Sequence, residues 1–317
     1  MALGSLTSGV SALTNFEKGI EVIGNNVANV NTIGYKGSRA QYGDSFSTML
    51  KNSAPSATGG GTSNSPAMQV GTGVKLTSIA GNFEQGTLTP TGSETDLGIS
   101  GNGFFRVYDT ASKTSFVTRA GDFRVDDNGF LVTQSGMRVQ GLSDGGASYS
   151  TVTDATTGVV THPVTSSGLA TVGDLKIDIA TLTNATGGAF TLPTMNSYTI
   201  DQFGNINISL SNGDSFVRGK VLLQDFNDPN ALVREGDNLF SNFDAAGPQG
   251  GLALTAANNS AGSNGLGKIQ SKALELSNVD LSTEFANLIS TQRAFQAGSR
   301  IVTVTDTVLE EIINLKR

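Results

Sequence analysis

The chain has 317 residues, room for two or three domains, and a net charge of −7 that offers no basic footprint for nucleic acid. It has no cysteine, which excludes disulfides, thiolate metal sites and cysteine nucleophiles. With 40 glycines and only 15 % charged residues, it reads as a polar, turn-rich β protein rather than a helical enzyme.

Apolar residues open the chain at helical steps: Leu3, Leu6, Val10, Leu13, Phe16, Ile20, Ile23, Val27 and Val30. Steps of three and four predict a helix over 3–30 with one apolar stripe. Gly4, Gly9, Gly19 and Gly24 each weaken it by up to about 1 kcal/mol relative to Ala, so it needs partners. Directly after comes GNNVANVNTIGYKG, residues 24–37. The short side chains of Asn25, Asn26, Asn29 and Asn31 bond nearby backbone, and Asn and Gly tolerate positive φ. Asn29–Gly34 is predicted to end the helix and turn the chain, with Tyr35 and Lys36 as an anchored exit. Phe46–Leu50, FSTML, reads as a core contact on a short helix.

Residues 51–68, rich in Ser, Gly and Pro, form an insertion or linker. Residues 69–143 and 198–270 read as short strands with Gly, Asn and Asp turns, folding together as a β-rich middle domain. Val125–Val132 is a hairpin turning at Asp127–Gly129. The Thr/Gly/Ala-rich stretch 144–197 is a small inserted outer domain or decorated loop. The C-terminus mirrors the start: Leu281, Phe285, Leu288, Phe295, Val302 and Leu309 lie on a 4-3 frame, broadened by Ile289, Ile301, Val308, Ile312 and Ile313. Asp280 or Ser282 supplies its N-cap. Residues 1–50 and 271–317 therefore form a terminal helical domain. The fold class is α+β: paired, coiled-coil-like terminal helices, a β-rich middle and a small insertion. The stripes are wide for a two-stranded seam, which leaves apolar surface for neighbouring molecules.

Chemistry is thinly represented. Gly262–Lys268, GSNGLGK, has phosphate-loop spacing, but Ile269 stands where Ser or Thr would hold magnesium, so a flexible linker is expected. Asp122, Asp126, Asp127 and Asn128 fail calcium-loop spacing and read as a hairpin turn. His162, the single histidine, reads as a surface-loop residue. No catalytic, metal or cofactor site is assigned. No apolar run is long enough to span a membrane, and the start lacks a Lys/Arg-led leader, so neither insertion nor a cleaved signal peptide is expected.

Four stretches carry a resemblance: Ile23–Lys36, Leu97–Asp109, Phe116–Gly141 and Leu274–Leu315. In that order they resemble the flagellar rod and hook axial proteins. Ile79–Gly92, IAGNFEQGTLTPTG, is similar to the hook members, with the distal rod members as the alternative. The resemblance implies a structural hook subunit, not an enzyme, that polymerises with itself into a helical tube outside the cell. The tube acts as a flexible joint transmitting torque. Implied partners are the distal rod, hook-cap and hook–filament junction proteins and the flagellar export apparatus, with no cofactor. Implied inter-subunit contacts are Asn25, Asn26, Asn29, Asn31, Gly34 and Tyr35. The helical assembly interface would be Leu6, Val10, Leu13, Ile20, Ile23, Val27 and the C-terminal frame from Leu281 to Leu309. Phe46 and Leu50 would dock the unfolded chain at the export gate. A remote alternative from another class is an extracellular binding module or hydrolase.

Overall fold

The computed structural model describes residues 2–53, 66–144, 171–178 and 194–315, with Asn64, Leu169 and short strands between 148 and 184. The chain divides into two compact units: a helical one (residues 1–30, 37–82 and 279–317) and a β unit (31–36 and 83–278).

In the helical unit, the N-terminal helix is Ala2–Ala28 and the C-terminal helix is Leu281–Leu315. The second is about 52 Å long at about 1.5 Å per residue. Gly9 faces Val302, Leu13 faces Gly298, Gly19 faces Thr291, and Asn26 faces Glu284. One number falls as the other rises, so the helices run antiparallel. A Cβ on Gly9 would sit 3.0 Å from Val302 Cγ2. Gly9 and Gly19, which weaken the helix in isolation, thus bring it close to its neighbour, whereas Gly4 and Gly24 face open space. Leu288, Phe295, Val302 and Leu309 are half-buried along this seam, whereas Phe285, Ile289, Ile301, Val304, Ile312 and Ile313 are exposed. Asp280 caps the C-terminal helix, accepting the Ser282 N–H and the Thr283 hydroxyl, both at 2.9 Å. The Thr283 hydroxyl first, then the Ser282 N–H, hold its carboxyl below the usual range.

Two ribbons complete this unit. Ser38–Asp44 pairs antiparallel with Val74–Gly81. Asn15 ties this ribbon to the N-terminal helix, donating to the Val74 carbonyl and accepting the Leu76 N–H, each at 2.9 Å. Phe16 meets Tyr42 edge to face at 5.8 Å. Val74–Gly81, read from sequence as part of the middle domain, therefore belongs with the helices. Ser47–Lys51 pairs with Met68–Gly71. Most of the FSTML stretch is thus a strand, not a short helix, with Phe46 just before it and its backbone bonds made to Met68–Gly71. Lys51 and Met68 likewise leave the expected linker for this ribbon. Residues 54–63 lie outside the described residues.

The β unit centres on an antiparallel sheet. Its strands run in the order Met195–Ile200, Asn205–Leu210, Ser215–Val221, Arg138–Ser143, Phe104–Asp109, Thr114–Thr118, Leu239–Ser241 and Val233–Gly236. Pairing of Arg138–Ser143 with Ser215–Val221 joins stretches from either side of the 144–197 segment. Thr171–Asp174 also pairs with Arg138–Ser143, and Leu175 and Ile177 are buried with Phe105, Val107, Val139 and Ile206. Residues 171–178 are thus core rather than outer insertion, because Leu175 and Ile177 present alternate apolar side chains to the sheet. A second cluster stacks Phe104, Phe226 and Phe240 at centroid distances of 5.8 and 6.0 Å. Lys268–Ser271 pairs with Leu97–Ser100, and Ala273–Glu275 with Leu88–Pro90, so the last strands close on the first.

The helical seam makes a steric prediction. Gly298→Ala fits, since its Cβ meets Leu13 Cδ2 at 3.5 Å. Gly298→Leu overpacks the seam and costs about 1–3 kcal/mol. Thermal unfolding followed by far-UV circular dichroism reads the difference.

Candidate functional site

The end of the N-terminal helix is built by asparagines. The Asn29 N–H donates to the carbonyls of Asn25 and Asn26 at 3.2 Å, and its side chain donates to the Asn25 carbonyl and Oδ1 at 2.9 Å. Asn26 is buried. Its amide donates to the Ser38 carbonyl at 2.7 Å and accepts the Ser38 N–H at 2.9 Å, as a strand would. It also donates to Glu284 at 3.3 Å. Burial pushes the Glu284 carboxyl up, and this hydrogen bond acts against it. Asn25 and Asn31 are exposed.

The six residues Asn31–Lys36 belong to the β unit, although helical-unit residues flank them on both sides. Gly34 has a φ of 68°, and its N–H donates to the Glu275 carbonyl at 2.8 Å. A Cβ there would lie 2.6 Å from the Ala120 nitrogen, so only glycine fits. Tyr35 is buried under the Arg234 guanidinium, 5.2 Å from its ring, and Arg234 also donates to the Lys36 carbonyl. Asn238 holds the Ile33 carbonyl at 2.7 Å.

At the centre lies a buried carboxylate. Lys36 Nζ is 2.7 Å from Glu275 Oε1, and Arg119 Nε is 3.1 Å from Glu275 Oε2, with all three side chains at most 4 % exposed. The Gly86 N–H donates to Glu275 Oε1 at 2.8 Å. Lys36 also donates to the Glu84 carbonyl at 2.7 Å, and Arg119 to the carbonyls of Gly101 and Gly103. Burial lowers the Lys36 pKa, with Glu275 pulling the other way. Burial lowers that of Arg119 too, against Glu275 and the more distant Asp225. Among the described residues, the hydrogen bonds to the carboxylate converge on Oε1, while Oε2 makes none and is compensated by the charge of Arg119 alone.

Sequence reasoning reached Lys36 as an anchor but missed Arg119, Glu275 and Arg234. A signal existed: Glu275 sits between Leu274 and Leu276, and Arg119 follows the apolar run that begins at Phe116. The Gly262–Lys268 stretch, expected to be a flexible linker, is a tight turn in which the Gly262 N–H donates to the Gly267 carbonyl at 2.9 Å. The strand Lys268–Ser271 follows it where a phosphate loop needs a helix. Asp126 accepts the Asn128 N–H in a hairpin turn. His162 lies outside the described residues. Among the described residues, no group of three or more His, Asp or Glu side chains is placed to hold a metal ion, and no helix is long and apolar enough to cross a membrane.

The expected assembly residues divide by exposure. Leu6, Leu13, Ile20, Ile23 and Val27 are half-buried, whereas Val10, Leu281 and Phe285 are exposed. On the second ribbon Thr48 pairs with Val70, a register shift between Met49 and Lys51 sets Lys51 opposite Met68, and Phe46 lies just before the strand. Phe46 is 85 % exposed and Leu50 66 %, with Met49, Met68 and Val70 all over half exposed. These are apolar side chains with solvent on them.

The helical unit exposes apolar side chains on its C-terminal helix and on its second ribbon, as a subunit that packs against neighbours would. Comparison with known proteins agrees. Residues 6–36 match the family "Flagella basal body rod protein", 98–208 "Flagellar hook protein FlgE/F/G D1 domain", and 270–315 "Flagellar basal body rod FlgEFG protein C-terminal". The chain is 34 % identical to the flagellar basal-body rod protein FlgG of Bacillus subtilis, covering 99 % of this chain and 100 % of that protein. It is 29 % identical to the flagellar hook protein FlgE of Borreliella burgdorferi, covering 98 % and 99 % respectively. It is 48 % identical to the flagellar hook protein FlgE of Treponema pallidum over 139 residues, 43 % of this chain and 29 % of that one. The chain belongs to the flagellar hook and basal-body rod protein family. It is a structural subunit of the flagellum.

Lys36→Met leaves Glu275 with one cation fewer and should destabilise the β unit by about 3–5 kcal/mol in urea unfolding. The pH dependence has a definite sign. The folded pKa of Lys36 lies below 10.5, so between the two values the unfolded chain binds more protons. Wild-type stability minus that of Lys36→Met therefore rises as pH climbs towards 10.5. A flat difference would contradict the buried-ammonium account.

Proposed function

We propose that the chain is a subunit of the flagellar hook, a helical homopolymer that bends while transmitting torque. The observation that carries self-assembly is the pair of unlike apolar surfaces on the helical unit. One is the outer stripe of the C-terminal helix, Ile301 to Ile313. The other is the exposed apolar group of Phe46, Met49, Leu50, Met68 and Val70 on and beside the second ribbon. Surfaces that differ mate head to tail, and head-to-tail contacts that do not close into a ring build open helical filaments. The hook assignment draws on the 48 % identity to the Treponema pallidum hook protein. The rod reading, a rigid drive-shaft, is favoured by the match of 34 % to the Bacillus subtilis rod protein along the whole chain.

On this reading the protein has no enzymatic role. It acts outside the cell after export without a cleaved signal peptide, between distal rod, hook-cap and hook–filament junction proteins. The exposed Asn25 and Asn31 remain available for contacts between subunits. Asn26, Gly34 and Tyr35 would act from within, by fixing the chain that presents them. Phe46 and Leu50 would meet the export gate as an unfolded stretch, before the ribbon forms.

Immunogold labelling of isolated hook–basal bodies distinguishes the two readings: label along the curved segment supports the hook, and label confined to the straight shaft overturns it in favour of the rod. Leu50→Asp should leave the far-UV spectrum of the monomer unchanged and reduce polymer yield at least tenfold in a sedimentation assay, about 1.4 kcal/mol or more of contact energy.

A further inference from the structure

Lys36 and Arg119 stand 83 positions apart in the chain and meet at one carboxylate, that of Glu275. Among the described residues, their other hydrogen-bond acceptors are the backbone carbonyls of Glu84, Gly101 and Gly103. Carbonyls accept hydrogen bonds but carry no net charge, and Asp225 acts on Arg119 only at longer range. Without Glu275, closing the β unit would bring two cations together in a dry site. Glu275 ends the last strand of that unit, Ala273–Glu275, which pairs with Leu88–Pro90, the first. Its carboxylate is also tied to Gly86 at 2.8 Å, and its carbonyl to the Gly34 N–H at 2.8 Å. One residue thus touches the entering segment, the first strand's approach and the Arg119 strand end together.

We propose that Glu275 is a charge-gated closing switch: the β unit stays open until the Ala273–Glu275 strand docks and its single carboxylate pairs with Lys36 and Arg119 together, offsetting part of their joint positive charge. Since Glu275 lies 185 positions beyond Pro90, the end of the strand it pairs beside, a chain that has not yet presented residue 275 cannot close the unit. The value of delayed closure to a chain exported unfolded rests on the flagellar reading. The closing step itself does not, and hook and rod subunits would share it.

The test is stopped-flow refolding and unfolding of the full-length chain, followed by tyrosine fluorescence. Wild type is compared with Glu275→Gln and with a variant combining Lys36→Met, Arg119→Met and Glu275→Leu. A switch acting before closure makes Glu275→Gln refold at least about tenfold more slowly while its unfolding rate changes by less than about threefold. The charge-free triple variant then refolds at the wild-type rate or faster. If Glu275→Gln refolds normally and only unfolds faster, the ion pairs form after closure and the switch is disproved. A triple variant as slow as Glu275→Gln also overturns it, because packing rather than charge would then limit closure. If Glu275→Gln does not fold, a triple variant that folds at the wild-type rate supports the switch, and one that also fails to fold sinks it. Immunogold labelling is indifferent to all of these outcomes, so the two ideas fail separately.

Discussion

A carboxylate removed from water needs compensation in place, and Glu275 receives it from Lys36, Arg119 and the Gly86 N–H. Much of the β unit's local geometry follows from that demand. Gly34 must be glycine because the entering segment crosses the Arg119–Ala120 backbone too closely for a Cβ. Tyr35, next to Lys36, is buried with the Arg234 guanidinium over its ring. The asparagine-rich signature therefore has two jobs joined end to end. Asn26 and Asn29 finish a helix in one unit, and Gly34–Lys36 anchor the chain in the other.

Each unit is discontinuous in sequence, and each is closed by the far end of the chain. In the helical unit the closing element is the C-terminal helix, laid antiparallel along the first. In the β unit it is the strand pair Lys268–Ser271 and Ala273–Glu275. Loop-closure entropy over such separations is modest per doubling of length, but it must be met before the contacts form.

The terminal helices were legible in the sequence because a period of 3.6 repeats over many residues and survives local exceptions. Asp280 was legible as a cap because its chemistry acts within one turn. The small-residue seam of Gly9 and Gly298 was not, since a glycine in a helix reads as weakness until its neighbour is known. The ribbon was missed for a related reason. A spacing of four between Phe46 and Leu50 suits a short helix, and five residues do not reveal the strand that pairs with Met68–Gly71. Arg119 and Glu275 escaped because a pairing across 156 positions leaves no local trace beyond a charge beside apolar residues. Leu175 and Ile177 were hidden by the bland composition around them.

The ribbon has a further consequence for how the subunit is handled. A two-stranded ribbon with exposed apolar side chains and open edges is a template for indiscriminate strand pairing. Phe46, Leu50, Met68 and Val70 supply those side chains, and Lys51 is the single charge on its strands. A large standing pool of free, folded subunits would therefore be hazardous. The chain is better suited to a regime in which few folded copies wait at any moment, each consumed soon after its ribbon forms.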